Sequence, residues 1–263
     1  MARPPRAALK LPAPEESAAL PYLVIRDYIA ARITGGEWPA GTQLPSERQL
    51  HEALGRNRGT IRDALLQLEG EGLVYRQSRS GWFVSPPRVR YDPARPDGFM
   101  TYVAEQNRTP QTRTLSAETL KASGWTAECL GVAQGAPSYF IRRLRLIDQR
   151  PVLVEQIWAN PAMFPGLLEH SLDGSLTQLL RNQYGAEVVR MEIDMSPCLL
   201  PEVQAEALRV VPGTPGLYLT RRSLDAAGRV VEYDQEFWRH DAIAVHVNVD
   251  FSRRGLQRRR VRR

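Results

Sequence analysis

The stretch Leu44-Pro45-Ser46-Glu47-Arg48-Gln49-Leu50, followed by Arg56-Asn57-Arg58-Gly59-Thr60-Ile61-Arg62 and closed by Gly81-Trp82-Phe83-Val84, decides the fold of the first third of the chain. Ser46 stands three residues before Gln49, the capping-box spacing that satisfies free amides at a helix start. The helix it opens buries Leu50, Ala53 and Leu54 and stops at Gly55. Asn57 can cap a second helix, in which Ile61, Ala64, Leu65 and Leu68 recur at i, i+3, i+4 and i+7 and share one buried face. Gly70-Glu71-Gly72 breaks that helix. Leu73 to Arg76 and Trp82 to Ser85 then alternate as two strands about a tip at Ser78-Arg79-Ser80-Gly81. The expectation for Leu44–Val84 is two short helices, a longer exposed helix and a β-hairpin, together a winged helix-turn-helix.

This order of elements gives the exposed arginines a meaning. Arg58 and Arg62 lie four apart on the outward face of the second helix, near its N-terminus. Two arginines alone describe a solvated helix face. On a helix shaped for the major groove, each can reach guanine O6 and N7 bidentately, and a good pair discriminates about ten- to a hundredfold against the wrong base. A cationic hairpin tip with glycine can approach phosphates or enter a minor groove.

Outward from this stretch, Tyr22, Ile25, Ile29 and Ile33 recur at helical spacing, and Gly35-Gly36 ends that helix before a turn at Trp38-Pro39-Ala40-Gly41. Residues 1–18 read as a disordered arm and residues 19–86 as the DNA-binding domain. Residues 87–97, in a stretch with prolines at 86, 87, 93 and 96, read as a semi-rigid linker without regular helix or central strand.

Residues 98–251 read as an α+β domain on a largely antiparallel sheet. Helices are expected at Phe99–Gln106, Trp125–Val132, from Gly174-Ser175-Leu176 to Gly185, and at Pro201–Leu208. Strands are expected at Thr112–Lys121, Tyr139–Ile147 and Pro151–Trp158 around Asp148-Gln149-Arg150, Glu187–Met195, Leu217–Asp225 with Arg229–Trp238, and Ile243–Phe251.

The charge of +6 and pI near 9.6 do not carry the DNA argument. Seven arginines and no acid follow Ser252, which leaves the rest of the chain at −1. The tail, residues 252–263, is a solvated end that can add nonspecific, salt-sensitive DNA affinity. No run of eighteen apolar residues and no apolar leader core occurs, so a soluble, cytoplasmic protein without membrane contact is expected. Cys129 and Cys198 read as packing residues, and His51, His170, His240 and His246 form no ligand pattern, so no metal and no cofactor are expected.

In the second domain Arg143 and Arg145 lie two apart on one strand, so both guanidinia project from one face and suit a phosphate, phosphonate or carboxylate. Glu155 on the adjoining strand reaches the same face, and Glu232 and Asp234 sit on a later hairpin. Arginines at one end and carboxylates at the other describe a zwitterion site. No nucleophile, phosphate loop or metal motif accompanies the acids, which favours binding and assigns no catalytic residue.

The first domain resembles the winged-helix regulators of the GntR superfamily, whose pattern runs Leu-Pro-Ser-Glu-Arg, Val-Ser-Arg-x-Thr-Val-Arg and Gly-x-Phe-Val. The resemblance implies DNA contacts from Arg48, Arg58, Thr60, Arg62 and the Gly81 wing tip. Arg56, Asn57 and Gly59 depart from the pattern, Gly59 at about 0.5 to 1 kcal/mol of local helix stability. The second domain, by Arg143-x-Arg145, Pro151 to Glu155, Asp173-Gly174-Ser175-Leu176 and Arg239-His240-Asp241, resembles the chorismate-lyase-like (UTRA) effector domain of the HutC-type subfamily. That implies an effector pocket lined by Arg143, Arg145, Glu155, Ser175, Glu232 and Trp238, with tryptophan at 238 in place of a common tyrosine.

Gly81-Trp82-Phe83-Val84, Tyr91-Asp92-Pro93, Leu172 to Leu176 and Glu236 to Asp241 are further similar to regulators of phosphonate utilisation that sense 2-aminoethylphosphonate. The expectation is a homodimeric repressor-type transcription regulator on double-stranded operator DNA, responsive to a small anionic or zwitterionic effector. An amino sugar phosphate or amino acid is the alternative effector. A lyase-like enzyme and a constitutive DNA-binding protein are the rival functions.

Overall fold

The computed structural model describes residues 20–77, 79–95 and 97–249. The arm at 1–18 and the tail at 252–263 lie outside these residues. The first module comprises α1 (Pro21–Thr34), α2 (Glu47–Leu54), α3 (Arg58–Glu71), β1 (Val74–Gln77) and β2 (Gly81–Val84). Leu44–Val84 therefore holds two helices and a hairpin, not three helices; the third helix of the module is α1. The local chemistry explains the boundaries. Ser46 Oγ accepts from Gln49 N–H at 3.3 Å while Gln49 Oε1 accepts from Ser46 N–H at 3.0 Å, and Gly55 closes α2 at φ 64°. Asn57 Oδ1 accepts from Thr60 N–H at 2.8 Å to start α3, and Gly72 ends it at φ 77°. Ile25 and Ile29 of α1 pack on Leu50, Ile61, Leu65 and Leu68, with Trp38, Leu44 and Trp82 completing the core.

The next elements are β3 (Val89–Tyr91), α4 (Phe99–Ala104), β4 (Pro110–Lys121), α5 (Gly124–Leu130), β5 (Pro137–Ile147), β6 (Arg150–Ala159), α6 (Leu176–Tyr184), β7 (Arg190–Leu199), α7 (Glu202–Ala207), β8 (Pro215–Leu224), β9 (Val230–Arg239) and β10 (Ile243–Val245). A six-stranded sheet runs in the order β4-β5-β6-β9-β8-β7, every neighbouring pair antiparallel. The β5–β6 hairpin turns on two residues, Asp148 and Gln149, both at positive φ, the primed-turn geometry that matches strand twist. Ile141, Ile157 and Val231 on one sheet face pack under α6, while Leu144 and Val154 on the other meet Leu200, Ala205 and Leu208 around α7.

Two expectations change here. The stretch read as a linker contains β3, which pairs in parallel with β10 and buries Val89 and Tyr91. Its prolines flank the Val89-Arg90-Tyr91 triplet, leaving every amide of that short strand available. Among the described residues of the strand expected at Ile243–Phe251, pairing covers Ile243–Val245, opposite β3, which ends at Tyr91; Val245, Val247 and Val249 are exposed.

Gly216 offers a direct check of this packing. A Cβ there would stand 2.8 Å from the Trp238 carbonyl oxygen and 2.8 Å from Leu200 Cδ2. Gly216→Ala is expected to cost about 1 to 3 kcal/mol by overpacking, read as a lowered melting temperature with unchanged far-ultraviolet circular dichroism.

Candidate functional site

The candidate DNA face is built by α2, α3 and the wing. Arg58 occupies the first position of α3 and is exposed, as are Arg48 and Arg62. Arg62 Nη2 hydrogen-bonds Glu47 Oε2 at 2.9 Å, and the other oxygen of Glu47 accepts from Trp82 Nε1 at 3.4 Å. Burial raises the Glu47 carboxyl, and the Arg62 and Trp82 hydrogen bonds outweigh it, leaving it below its ordinary value. Glu47 thus ties α3 to the hairpin and holds Arg62 in one direction. Trp82 is buried, with the Arg76 guanidinium 5.8 Å from its ring. Thr60 has its hydroxyl on Asn57 Oδ1 at 2.9 Å, so it reinforces the cap. Gly81 has φ 91° at the wing turn, where an L side chain would be strained.

The six expected effector residues converge on a cavity of about 260 Å³ on the α6 side of the sheet. That volume suits a molecule smaller than a drug-sized ligand. Arg143 on β5 faces Glu155 on β6 in direct register, and Glu155 forms ion pairs with Arg143 and, at 2.9 Å, with Arg145. Arg143 Nη1 also donates to the carbonyls of Leu172 and Gly174, at 3.1 and 3.3 Å, fixing the loop that leads into α6. Arg145 Nη1 donates to Thr112 Oγ1 at 2.6 Å, and its guanidinium lies 5.1 Å from the Phe99 ring. Burial raises the Glu155 carboxyl, but the two guanidinia overcome it and hold it below the usual range. The two charge poles are consequently less separate than the strand spacing suggests, because Glu155 lies between the arginines and is committed to them.

Ser175 caps α6 by accepting from Gln178 N–H at 3.3 Å. Glu232, Asp234 and Glu236 alternate along β9 and face the cavity together. Trp238, fully buried, donates from Nε1 to Glu236 Oε2 at 2.6 Å and stacks 6.3 Å from Tyr91, the residue brought in by β3. Arg221 on β8 pairs with Glu236 and donates to the Tyr91 hydroxyl at 3.2 Å. Burial pushes the Tyr91 phenol up to about 12, so it remains protonated. Asp234, expected with Glu232 at the carboxylate end of the site, lines the cavity, whereas Glu236, Arg221 and Tyr91 were not expected there. The alternation of Glu232, Asp234 and Glu236 on one strand was a signal for Glu236, while nothing local announces Arg221 or Tyr91.

A third arrangement joins the two modules. Arg239-His240-Asp241, directly after the pocket residue Trp238, fastens the wing hairpin and the end of α3. Asp241 pairs with Arg239 at 3.0 Å and with Arg150, and accepts from Ser85 Oγ at 2.9 Å. Both guanidinia lie 4.4 Å from the ring of Tyr75 on β1, which stacks on Phe83 of β2. His240 places Nδ1 2.7 Å from the Pro215 carbonyl and Nε2 on the Glu69 carbonyl of α3. Arg88 bridges the carbonyls of His240 and Glu71, at 3.1 and 3.0 Å. Burial would raise the Asp241 carboxyl; Arg239 and Arg150 hold it far below the carboxylate range.

A winged helix fastened to a domain with a small polar cavity defines a ligand-responsive DNA-binding regulator. Residues 21–84 match the bacterial regulatory proteins of the gntR family and residues 105–244 match the UTRA domain. The chain belongs to the GntR family of transcription regulators, among the members that carry a UTRA domain. It is 30% identical over 210 residues to the HTH-type transcriptional regulator YihL of Escherichia coli K12, covering 80% of this chain and 89% of that one. The mannosyl-D-glycerate transport/metabolism system repressor MngR of the same strain is 26% identical over 84% of this chain and 92% of its own. The crystal structure of PhnF from Mycobacterium smegmatis shares the fold, with a TM-score of 0.62 at 24% identity over 86% of this chain and 99% of PhnF. The family is one of regulators, which decides against the lyase-like enzyme. No helix among the described residues is long and apolar enough to cross a membrane.

Proposed function

We propose that the chain is a homodimeric regulator that reads a two-fold operator through Arg48, Arg58, Arg62 and the Gly81 wing, and releases or grips it as a small zwitterion, with 2-aminoethylphosphonate as the candidate, occupies the cavity. Thr60 acts through the helix cap, and Ser175 and Trp238 shape the effector pocket. One winged helix touches few base pairs, so two copies on half-sites about one helical turn or a multiple apart are required for useful specificity. The observation that carries the effector reading is the buried Arg143–Glu155–Arg145 cluster beside the start of α6, facing further carboxyls on β9. An anionic group of the effector meets the arginines and competes with Glu155; a cationic group meets the β9 acids.

The route to DNA is short. Trp238 faces the cavity, and Arg239 and Asp241, one and three residues on, hold Tyr75 and Ser85 of the winged helix. An effector that shifts Trp238 biases this joint, provided it binds the two domain arrangements with different affinity.

Calorimetry against 2-aminoethylphosphonate, glucosamine 6-phosphate and a neutral amino acid tests the reading. One saturable ligand is expected, with binding lost in Arg145→Ala. Absence of binding by all three, or equal binding by wild type and Arg145→Ala, would overturn it.

A further inference from the structure

The charges on the sheet floor of the cavity do not balance among themselves. Four carboxyls on the strands, Glu155, Glu232, Asp234 and Glu236, face three guanidinia, Arg143, Arg145 and Arg221, so the floor is one positive charge short, while Asp97, Arg95, Arg181 and Arg190 line the rim. Glu155 is taken by Arg143 and Arg145, and Glu236 by Arg221 and Trp238. Glu232 and Asp234 are left. They stand two apart on β9 and point to the same side; Asp234 is 4% exposed, and its Oδ1 is buried without a hydrogen-bond partner. Two buried carboxyls side by side cannot both ionise cheaply.

Building on the effector pocket proposed above, we propose that Glu232 and Asp234 share a single proton in the ligand-free protein, and that a primary ammonium on the effector displaces it. The proton leaves to solvent, and the ammonium supplies the missing positive charge and donates to the orphaned Asp234 oxygen. The surroundings support this division. Arg221 of β8 lies opposite Asp234 in register but is committed to Glu236 and Tyr91, and Arg143 of β5 to Glu155 and the α6 loop. Tyr91 of β3 and Tyr102 of α4 are held protonated by burial and contribute no charge. At the rim Arg95 pairs with Asp97 and Arg190 with Glu192, and Arg181 is exposed. Burial raises both Glu232 and Asp234, Asp234 well above the ordinary range, with the neighbouring carboxyl adding to it.

Two consequences separate this from a generic anion pocket. A ligand with the anionic group alone leaves the acid pair protonated and gains nothing from it. Because the bound state holds one proton fewer, affinity for an amino ligand rises with pH until the pair is ionised in the free protein, and then levels off.

The test is calorimetry of the full chain with 2-aminoethylphosphonate and with ethylphosphonate, each in two buffers of different ionisation enthalpy. Wild type is expected to release about one proton more on binding the amino ligand than Asp234→Asn does. It should also bind the amino ligand about tenfold or more tightly than ethylphosphonate, a preference that Asp234→Asn loses. In that variant three carboxyls already balance three guanidinia, leaving no proton to expel. Glu232→Gln must behave alike, which guards against a folding defect in either variant. Equal proton counts in wild type and variants, with ligand still bound, would overturn the shared proton while leaving the pocket intact. Equal affinity for the two phosphonates would overturn the ammonium site, and failure of both to bind would overturn the pocket reading and this proposal together.

Discussion

Asp241→Asn is expected to destabilise the protein by about 3 to 5 kcal/mol, the usual effect of leaving buried charge unpaired. By the scaling for chains of this size, the melting temperature falls by about 6 to 20 °C. Asp241 is 1% exposed and is the one carboxylate between the guanidinia of Arg150 and Arg239. Removing its charge leaves both cations against the Tyr75 ring without their counter-ion and deprives Ser85 of an ionised acceptor. The effect has a pH signature. Because the folded carboxyl titrates below its unfolded value, its stabilisation is complete above the unfolded value near pH 4 and is lost as pH falls through the folded one. The gap between wild type and Asp241→Asn in thermal melts is therefore wide at pH 7 and narrows below about pH 4. A constant gap across that window would show that the charge is not what the joint uses.

Arg58→Ala combined with Arg62→Ala is expected to weaken operator binding at least about a hundredfold while leaving the fold intact, since each guanidinium can discriminate bases and neither is buried. Nonspecific binding should suffer much less, so the ratio of specific to nonspecific affinity collapses. Glu47→Gln gives a graded companion result. It removes the charge that holds Arg62 at 2.9 Å and leaves a single amide oxygen for Arg62 and Trp82 to share, so operator affinity should fall by less than in the double variant and the wing should hold its angle to α3 less firmly. Fluorescence anisotropy with operator and scrambled duplexes separates the two components. If the double variant lost affinity for both duplexes equally, Arg58 and Arg62 would be phosphate contacts and not base readers.

The winged helix was legible because its signals are local. Ser46 with Gln49, Asn57, Gly55 and Gly72 each fix a helix boundary through atoms a few residues away, and the structure repeats those boundaries. The antiparallel sheet was legible for a similar reason, since its hairpins alternate on one face and turn on short polar loops. The site was half legible. Arg143, Arg145 and Glu155 lie on adjacent strands of one hairpin, so their spacing already brought them together. Arg221 and Tyr91 come from elements distant in sequence, and Tyr91 arrives on a segment whose prolines concealed a strand that needs β10 as its partner. Glu155 was visible as a pocket residue, but its commitment to both arginines was not, because strand periodicity gives a face and not a partner. The joint at Arg239-His240-Asp241 was visible only as a family motif; contact with Tyr75, Ser85 and Glu69 requires folded proximity across more than one module.

Occupancy of the cavity is proposed to change the hold of the winged helix on DNA. A hundredfold change in operator affinity corresponds to about 2.7 kcal/mol of coupling. The direct measurement is the operator dissociation constant by fluorescence anisotropy, with and without 2-aminoethylphosphonate at a concentration that calorimetry shows to fill the site. A saturable change in that constant is expected, with the effector's own midpoint and abolished by Arg145→Ala. An operator affinity that stays the same with the cavity filled would overturn the proposed coupling.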